Sequence, residues 1–303
     1  MTRFEERPIE FIPRRLLDNP RAIEKGLKIR QQKVDRWRPN PLDFVDETQP
    51  EYTEKKIKRD LREVELLKEQ WEEEDSPEEK KRKKVADIYE AVLVDSLDRA
   101  GWFGDGWEVV VTTEYDDYKN GIDAVLAPVT DDSAGNEGPV GLAFDVTFTG
   151  DKERLERKLN SIKALINNGN LPTVKYFQDS DGNKHKGPLT LPKIVLGSRY
   201  ASAERLINLW ISDDSRKNEK LAADPTQTKL LLEAIFQLRY FYEYANRPNQ
   251  YGEPTNPEAA KLYGEAYNTF HEIYKDRMEL VLEHYPIVSD DVVFDTIRDF
   301  TGH

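Results

Sequence analysis

The sequence predicts an α/β protein: a mixed sheet flanked by helices, with a helical N-terminal arm and a helical C-terminal region. Three observations lead there. Short β-rich runs bounded by polar or glycine-containing stretches cluster between residues 107 and 197. Helical apolar periodicity brackets and interrupts those runs. The order across residues 85–212 is helix, three strands, helix, two strands and helix, which builds a layered sandwich. The chain of 303 residues accordingly divides into 1–84, 85–212 and 213–303.

Residues 1–50 hold six prolines and little periodicity, so they read as an extended arm with one short helix over 19–32. Asn19-Pro20 supplies its N-cap and first turn. Residues 51–84 carry 23 charges in 34 positions, with Leu61, Val64, Leu67 and Trp71 at helical spacing. That is a long charged helix with one narrow apolar stripe. Ser76-Pro77 breaks it and restarts a helix, with Ser76 as N-cap and Glu79 at the capping-box position. Tyr89, Val92, Leu93, Ser96 and Leu97 mark the buried face of that second helix, which ends near Gly101.

Strands follow at 107–113, 121–128 and 140–148, joined by a polar turn over 114–120 and an acidic loop over 130–138. Together they form an antiparallel meander. Leu155, Leu159, Ile162 and Ile166 face one side of a helix over 151–167 that Asn168-Gly169 stops. Residues 173–178 and 192–197 read as strands, and 202–211 as a helix capped by Ser202. Asp179-Ser180-Asp181-Gly182-Asn183 lacks the glycine and glutamate of a calcium loop at its sixth and twelfth positions, Lys184 and Thr190, and reads as a hairpin turn. The last third is helical over 226–246, from Asn256-Pro257 to about 284, and from Ser289 onward. Its tyrosines recur at helical spacing and read as a helix–helix core rather than a stacking platform for bases.

Net charge is −13, which argues against a general coat protein for nucleic acid. The charge is uneven. Residues 85–145 hold fourteen acids and two bases, and residues 150–205 hold eleven bases and six acids. An acidic cluster followed by a basic stretch suits a metal site beside a phosphate-binding surface. No cysteine is present, so disulfides and thiolate metal sites are excluded. The four histidines are too scattered for a zinc pair, and any metal is expected to be hard and oxygen-bound, Mg²⁺ or Mn²⁺. No apolar run approaches 18 residues and Met1 to Arg7 hold no apolar signal core, so a cytoplasmic protein without a membrane span is expected.

The residues that point to chemistry are Glu90, Asp123 and Asp145. Asp123 lies in Gly121-Ile122-Asp123-Ala124-Val125-Leu126, and Asp145 in Leu142-Ala143-Phe144-Asp145-Val146-Thr147-Phe148. Both acids sit in runs that otherwise read as interior strand, where an unpaired carboxylate is costly. Adjacent strands that each present an acid can share a divalent cation, and Glu90 lies on the helix expected beside them. As structural groups, Asp145 would pair with a base such as Lys158 and Asp123 would cap the Gly121 bend.

Residues 85–210 thereby resemble the PD-(D/E)XK nuclease superfamily, whose restriction-endonuclease-like core has this element order. Asp123 matches the acid of its second strand, Asp145 the first acid of its D/E-x-K motif, and Glu90 the acid often found on its first helix. The resemblance implies metal-dependent hydrolysis of DNA or RNA, with Glu90, Asp123 and Asp145 as metal ligands. It departs at one position, because Thr147 stands where the family has lysine and carries no charge to stabilise a phosphorane. Some members of the family take that lysine from the following helix. Lys158 and Lys152 border its apolar face here, Lys158 being preferred and Lys163 third. Lys193, Arg199, Tyr200 and Arg205 lie where such folds meet substrate. The acidic loop 131–137 would border the site. The alternative is an inactive protein of the same fold, working as an interaction or structural component whose N-terminal arm wraps a protein partner. The sequence assigns no oligomeric state.

Overall fold

The computed structural model describes residues 16–104, 106–128, 141–148, 150–185, 187–288 and 291–303. The acidic loop 131–137 and Ser289 lie outside them. Asn19 accepts from the backbone of Ala22 and opens α1 (Pro20–Lys33). Two short 3₁₀ turns, Asp35–Trp37 and Pro41–Phe44, lead to α2 (Glu54–Glu74). Ser76 and Glu79 form the expected capping box at the head of α3 (Pro77–Arg99). Of the arm expected over 1–50, residues 1–15 lie outside the described residues, and residues 16–34 are not an extended arm. Leu16, Leu17, Ile23 and Val34 are buried in the main core, and α1 packs on α3 and on a later helix, α6 (Tyr200–Ile211). Apolar side chains at 16, 17, 23 and 34 gain more from that burial than a solvated arm would.

The charged helix α2 is anchored by Ile57, Asp60 and Val64, a stripe that begins one turn earlier than the one expected. Asp60 is buried, pairs with the Lys175 ammonium and accepts the Tyr176 hydroxyl at 2.7 Å. Ile57 joins Phe44, Tyr52 and Tyr176 in a separate small core.

The sheet has the order β1-β2-β3-β6. Strands β1 (Trp107–Val111), β2 (Ala124–Pro128) and β3 (Leu142–Phe148) form the antiparallel meander, and β6 (Lys193–Ser198) runs parallel to β3, so the sheet is mixed as expected. Helix α5 (Lys152–Asn167), capped by Asp151, makes the crossover between β3 and β6 and buries Leu155, Leu159, Ile162 and Ile166.

Three local expectations are corrected. The polar turn 114–120 is instead a helix, α4 (Glu114–Asn120). Thr113 caps it by accepting from Asp116 N, acids fill its first turn, and Gly121 ends it in the left-handed region at φ 59°. The run 173–178 is a strand only at β4 (Thr173–Val174), which pairs with β5 (Leu189–Thr190). The Asp116 carboxylate accepts from both Lys175 N at 2.7 Å and Tyr176 N at 3.1 Å, which withdraws those N–H groups from any ladder. Ser202 is not a cap: α6 begins at Tyr200, and the N–H of Arg199 before it donates to the Asp291 carboxylate.

Helices α7 (Lys217–Ala222), α8 (Thr226–Ala245), α9 (Pro257–Asp276), α10 (Met278–Val288) and α11 (Val292–Thr301) complete the chain. The helix expected over 257–284 divides at Arg277, whose guanidinium reaches the carbonyls of Gly101 and Trp102 at 2.7 Å. No helix among the described residues is long and apolar enough to cross a membrane.

Helix α8 lies along the outer edge of β6 and replaces a neighbouring strand. Gln237 donates to Val195 O at 2.7 Å and accepts from Val195 N at 2.9 Å. Glu233 accepts from Gly197 N at 3.1 Å, and Lys229 donates to Gly197 O. Tyr263 of α9 does the same for Lys193, accepting from its N–H and donating to its C=O. A buried edge is thus satisfied residue by residue from side chains. Gln237→Leu keeps the volume and strands both polar groups of Val195. It is expected to cost about 1–3 kcal/mol per stranded group, measured as a lowered urea-denaturation midpoint at unchanged slope.

Candidate active site

The site lies where β2 begins and β3 passes it. Asp123 sits just before β2 and is about 9% exposed. Its N–H donates to Phe144 O, and its carboxylate accepts from Val146 N at 2.5 Å. That contact ties it to the residue following Asp145. Asp145 is held from two sides. Lys158 of α5 reaches its Oδ1 at 2.5 Å, and Lys193 of β6 approaches its Oδ2 at 3.6 Å while donating to Asn120 O at 3.1 Å. Gly121 makes room for this. A side chain there would place its Cβ 3.0 Å from the Lys193 ammonium, in a backbone conformation that favours glycine.

Asp117 of α4 joins the cluster, near enough to Asp123 for each carboxyl to influence the other. Glu90 of α3 faces the same group. It is about 8% exposed, and its Oε1 has no hydrogen-bond partner. The nearest cations come from the N-terminal segment, Arg38 at 3.5 Å and Arg30 at 3.8 Å. Arg38 also donates to Thr112 O at 2.9 Å and stands 3.6 Å from Asp117. Arg30 is shared with Asp35 at 3.0 Å and Asp87 at 3.3 Å.

Burial pushes Glu90 up to about 8, the Asp123 charge adds to the rise, and Arg30 and Arg38 oppose it. Asp123 lies well above the ordinary carboxylate range because it is buried and sees the charges of Asp117 and Asp145, with Lys158 opposing. Asp117 is raised by burial and by Glu90. Stacked acids in a poorly solvated place cannot all ionise together.

The structure therefore brings Glu90, Asp123, Asp145 and Lys158 together and separates Lys152 from them. The two lysines lie six residues apart on α5, on opposite borders of its buried face. Lys152 is exposed and reaches Glu156 at 3.8 Å and Asp299 at 3.9 Å, so it is removed from the site. Lys163 lies over the rings of Tyr240, Tyr244 and Phe300. Arg205 pairs with Asp224, and the Tyr200 ring packs on Phe148. Thr147 is buried opposite Gly197, so close that a Cβ on Gly197 would collide with it.

Carboxylate oxygens are the donors that Mg²⁺ or Mn²⁺ prefers, and the orphaned Oε1 of Glu90 is an open acceptor. Among the described residues, however, no three His, Asp or Glu side chains converge as a ready-made ligand set. Sequence reasoning missed Asp117, Arg30, Arg38 and the direct part of Lys193. The capping pattern Thr113-x-x-Asp116 with Gly121 was the available signal for α4, and so for Asp117. The chain matches no protein-family model, no curated protein and no solved structure.

A carboxyl group that ionises near 8 when folded and near 4.5 when unfolded makes the folded state bind the extra proton between those values. Its contribution to stability is complete below about 4.5 and is lost as pH rises through about 8. Glu90→Gln removes that titration. Denaturation midpoints of the variant should fall less than those of the natural chain between pH 5 and pH 8, on the order of one such group's share.

Proposed function

We propose that the protein is a metal-dependent phosphodiesterase acting on DNA or RNA, built on a PD-(D/E)XK nuclease-like core. The contact between Lys158 and Asp145 carries this reading. It supplies from α5 the ammonium that Thr147 lacks, beside two buried acids and on a sheet of order β1-β2-β3-β6. Glu90, Asp123 and Asp145 are the residues that would hold Mg²⁺ or Mn²⁺. A bound divalent ion supplies an activated water and charge neutralisation at a phosphate oxygen.

The chain's own groups do the rest. Lys158 orients Asp145 and offers positive charge to the phosphate as negative charge builds on it. Lys193 fixes the second oxygen of Asp145 and so limits its rotation. Buried Glu90 holds a proton at neutral pH until a cation or base draws it away. The reading places the protein in the cytoplasm, which a cysteine-free chain suits.

A second reading has its own observation. Arg30 and Arg38 already face Glu90, and with Lys158 and Lys193 they set four cations against Glu90, Asp117, Asp123 and Asp145. A balanced network of that kind suits an inactive protein of the same fold that works within a larger assembly through its N-terminal segment.

Cleavage of single- and double-stranded DNA and RNA in Mg²⁺ or Mn²⁺ separates the two. Hydrolysis is expected in the natural chain and is expected to vanish in Asp145→Ala. Lys158→Ala should lower it by about 10²–10³-fold, the usual loss for one electrostatic donor, and Lys152→Ala should leave it within about twofold. Cleavage unchanged by Asp145→Ala would sink the site assignment. Absence of cleavage on every substrate favours the second reading.

A further inference from the structure

Arg38 stands in an unusual relation to the acids it faces. Its guanidinium lies 3.5 Å from Glu90 and 3.6 Å from Asp117, at ion-pair range of both. Its short hydrogen bond goes elsewhere, to the carbonyl of Thr112 at 2.9 Å. Well-made arginine–carboxylate pairs are bidentate, with two parallel bonds at about 2.7–2.9 Å. Here the arginine stands at ion-pair range of two carboxyl groups without a fitted fork to either. Glu90 Oε1 consequently remains buried with no hydrogen-bond donor, although a buried acceptor is normally satisfied.

Arg38 directly follows a single 3₁₀ turn, Asp35–Trp37, in the short connection between α1 and Pro41. Its neighbours Arg36 and Trp37 face solvent. Arg30 is different. It belongs to α1 and has closer partners in Asp35 and Asp87. Of the two arginines, Arg38 is the one whose withdrawal uncovers Glu90 and Asp117 together.

We propose that Arg38 is a resident counter-cation and that a hard divalent ion enters the cluster by displacing it, with Asp117 joining Glu90 and Asp123 as a ligand. This rests on the reading of the cluster as a cation site. It adds a ligand on α4 and makes the turn at 35–38 respond to metal. It also accounts for the absence of a converged ligand set among the described residues: a planar guanidinium spaces the carboxyl groups more widely than an ion of about 2.0–2.6 Å bond length requires. Asp145 keeps its contacts with Lys158 and Lys193 and remains a ligand beside them.

The test is Mn²⁺ binding to the full chain at fixed ionic strength, by calorimetry and by the electron paramagnetic resonance of free Mn²⁺. Each protein is also melted with and without the ion. Arg38→Gln should bind Mn²⁺ about tenfold more tightly or better than the natural chain, within the range by which groups around a metal tune its affinity. It should melt lower without the ion and gain more from its addition. Asp117→Asn should weaken binding by about tenfold in the natural chain and abolish the gain in the Arg38→Gln background. Equal or weaker binding by folded Arg38→Gln overturns the proposal and leaves the nuclease reading standing if the natural chain binds. If Arg38→Gln does not fold without metal, Asp117→Asn alone decides, and unchanged affinity there overturns the proposal. Absence of binding in the natural chain and in Arg38→Gln defeats both the displacement and the cation site.

Discussion

The structure depends on how the outer edge of β6 is satisfied. A buried strand edge leaves every second residue with an unpaired N–H and C=O, each costly away from water. Lys193, Val195 and Gly197 meet Tyr263, Gln237 and the Lys229–Glu233 pair in turn, and Arg199 N meets Asp291. Lys229 lies 3.1 Å from Glu233 and 3.7 Å from Asp291, so the charges used for this purpose are also paired with one another. The register of α8 on β6 is fixed by polar groups that fit in one alignment only. The apolar residues of α8 then supply the burial, joining a core that extends from Leu16 to Ile297.

That constraint reaches the candidate site. β6 in its fixed register runs beside β3 and places Val195 opposite Asp145 and Gly197 opposite Thr147. Thr147 carries no charge, and α5, which crosses from β3 to β6, delivers the ammonium of Lys158 to one oxygen of Asp145, while β6 itself brings Lys193 towards the other.

Much of this was legible beforehand. The caps at Asn19 and Ser76 were local signals, and each is used as such. Apart from α4, the order of strands and helices between 85 and 212 followed from periodicity, as did the mixed sheet. Asp123, Asp145 and Glu90 were visible because acids in apolar runs conflict with burial. Lys158 was found only by looking for a base on the border of the next helix. Asp117, Arg30 and Arg38 were hidden because each lies in a charged segment where solvation is the ordinary expectation. The stretch 114–120 looked like a turn although Thr113, Asp116 and Gly121 carried the marks of a short capped helix.

By itself, the sequence determined most of the helices and strands, the class of the fold and three of the four clustered acids, because those rest on interactions between near neighbours and on what an apolar run tolerates. Tertiary structure decided which charges meet. Lys229, Glu233 and Gln237 recur every four residues and would suit a solvated helix face, yet they are buried against β6. Lys152 and Lys158 border the same helix, and only the packing of α5 on the sheet selects Lys158. Arg38 enters the site from a segment 52 positions before Glu90, a juxtaposition of 38 and 90 that no local rule encodes. A charged side chain carries no sequence mark of its partner, since Coulomb attraction depends on distance and on the exclusion of water, and both are set when the elements pack.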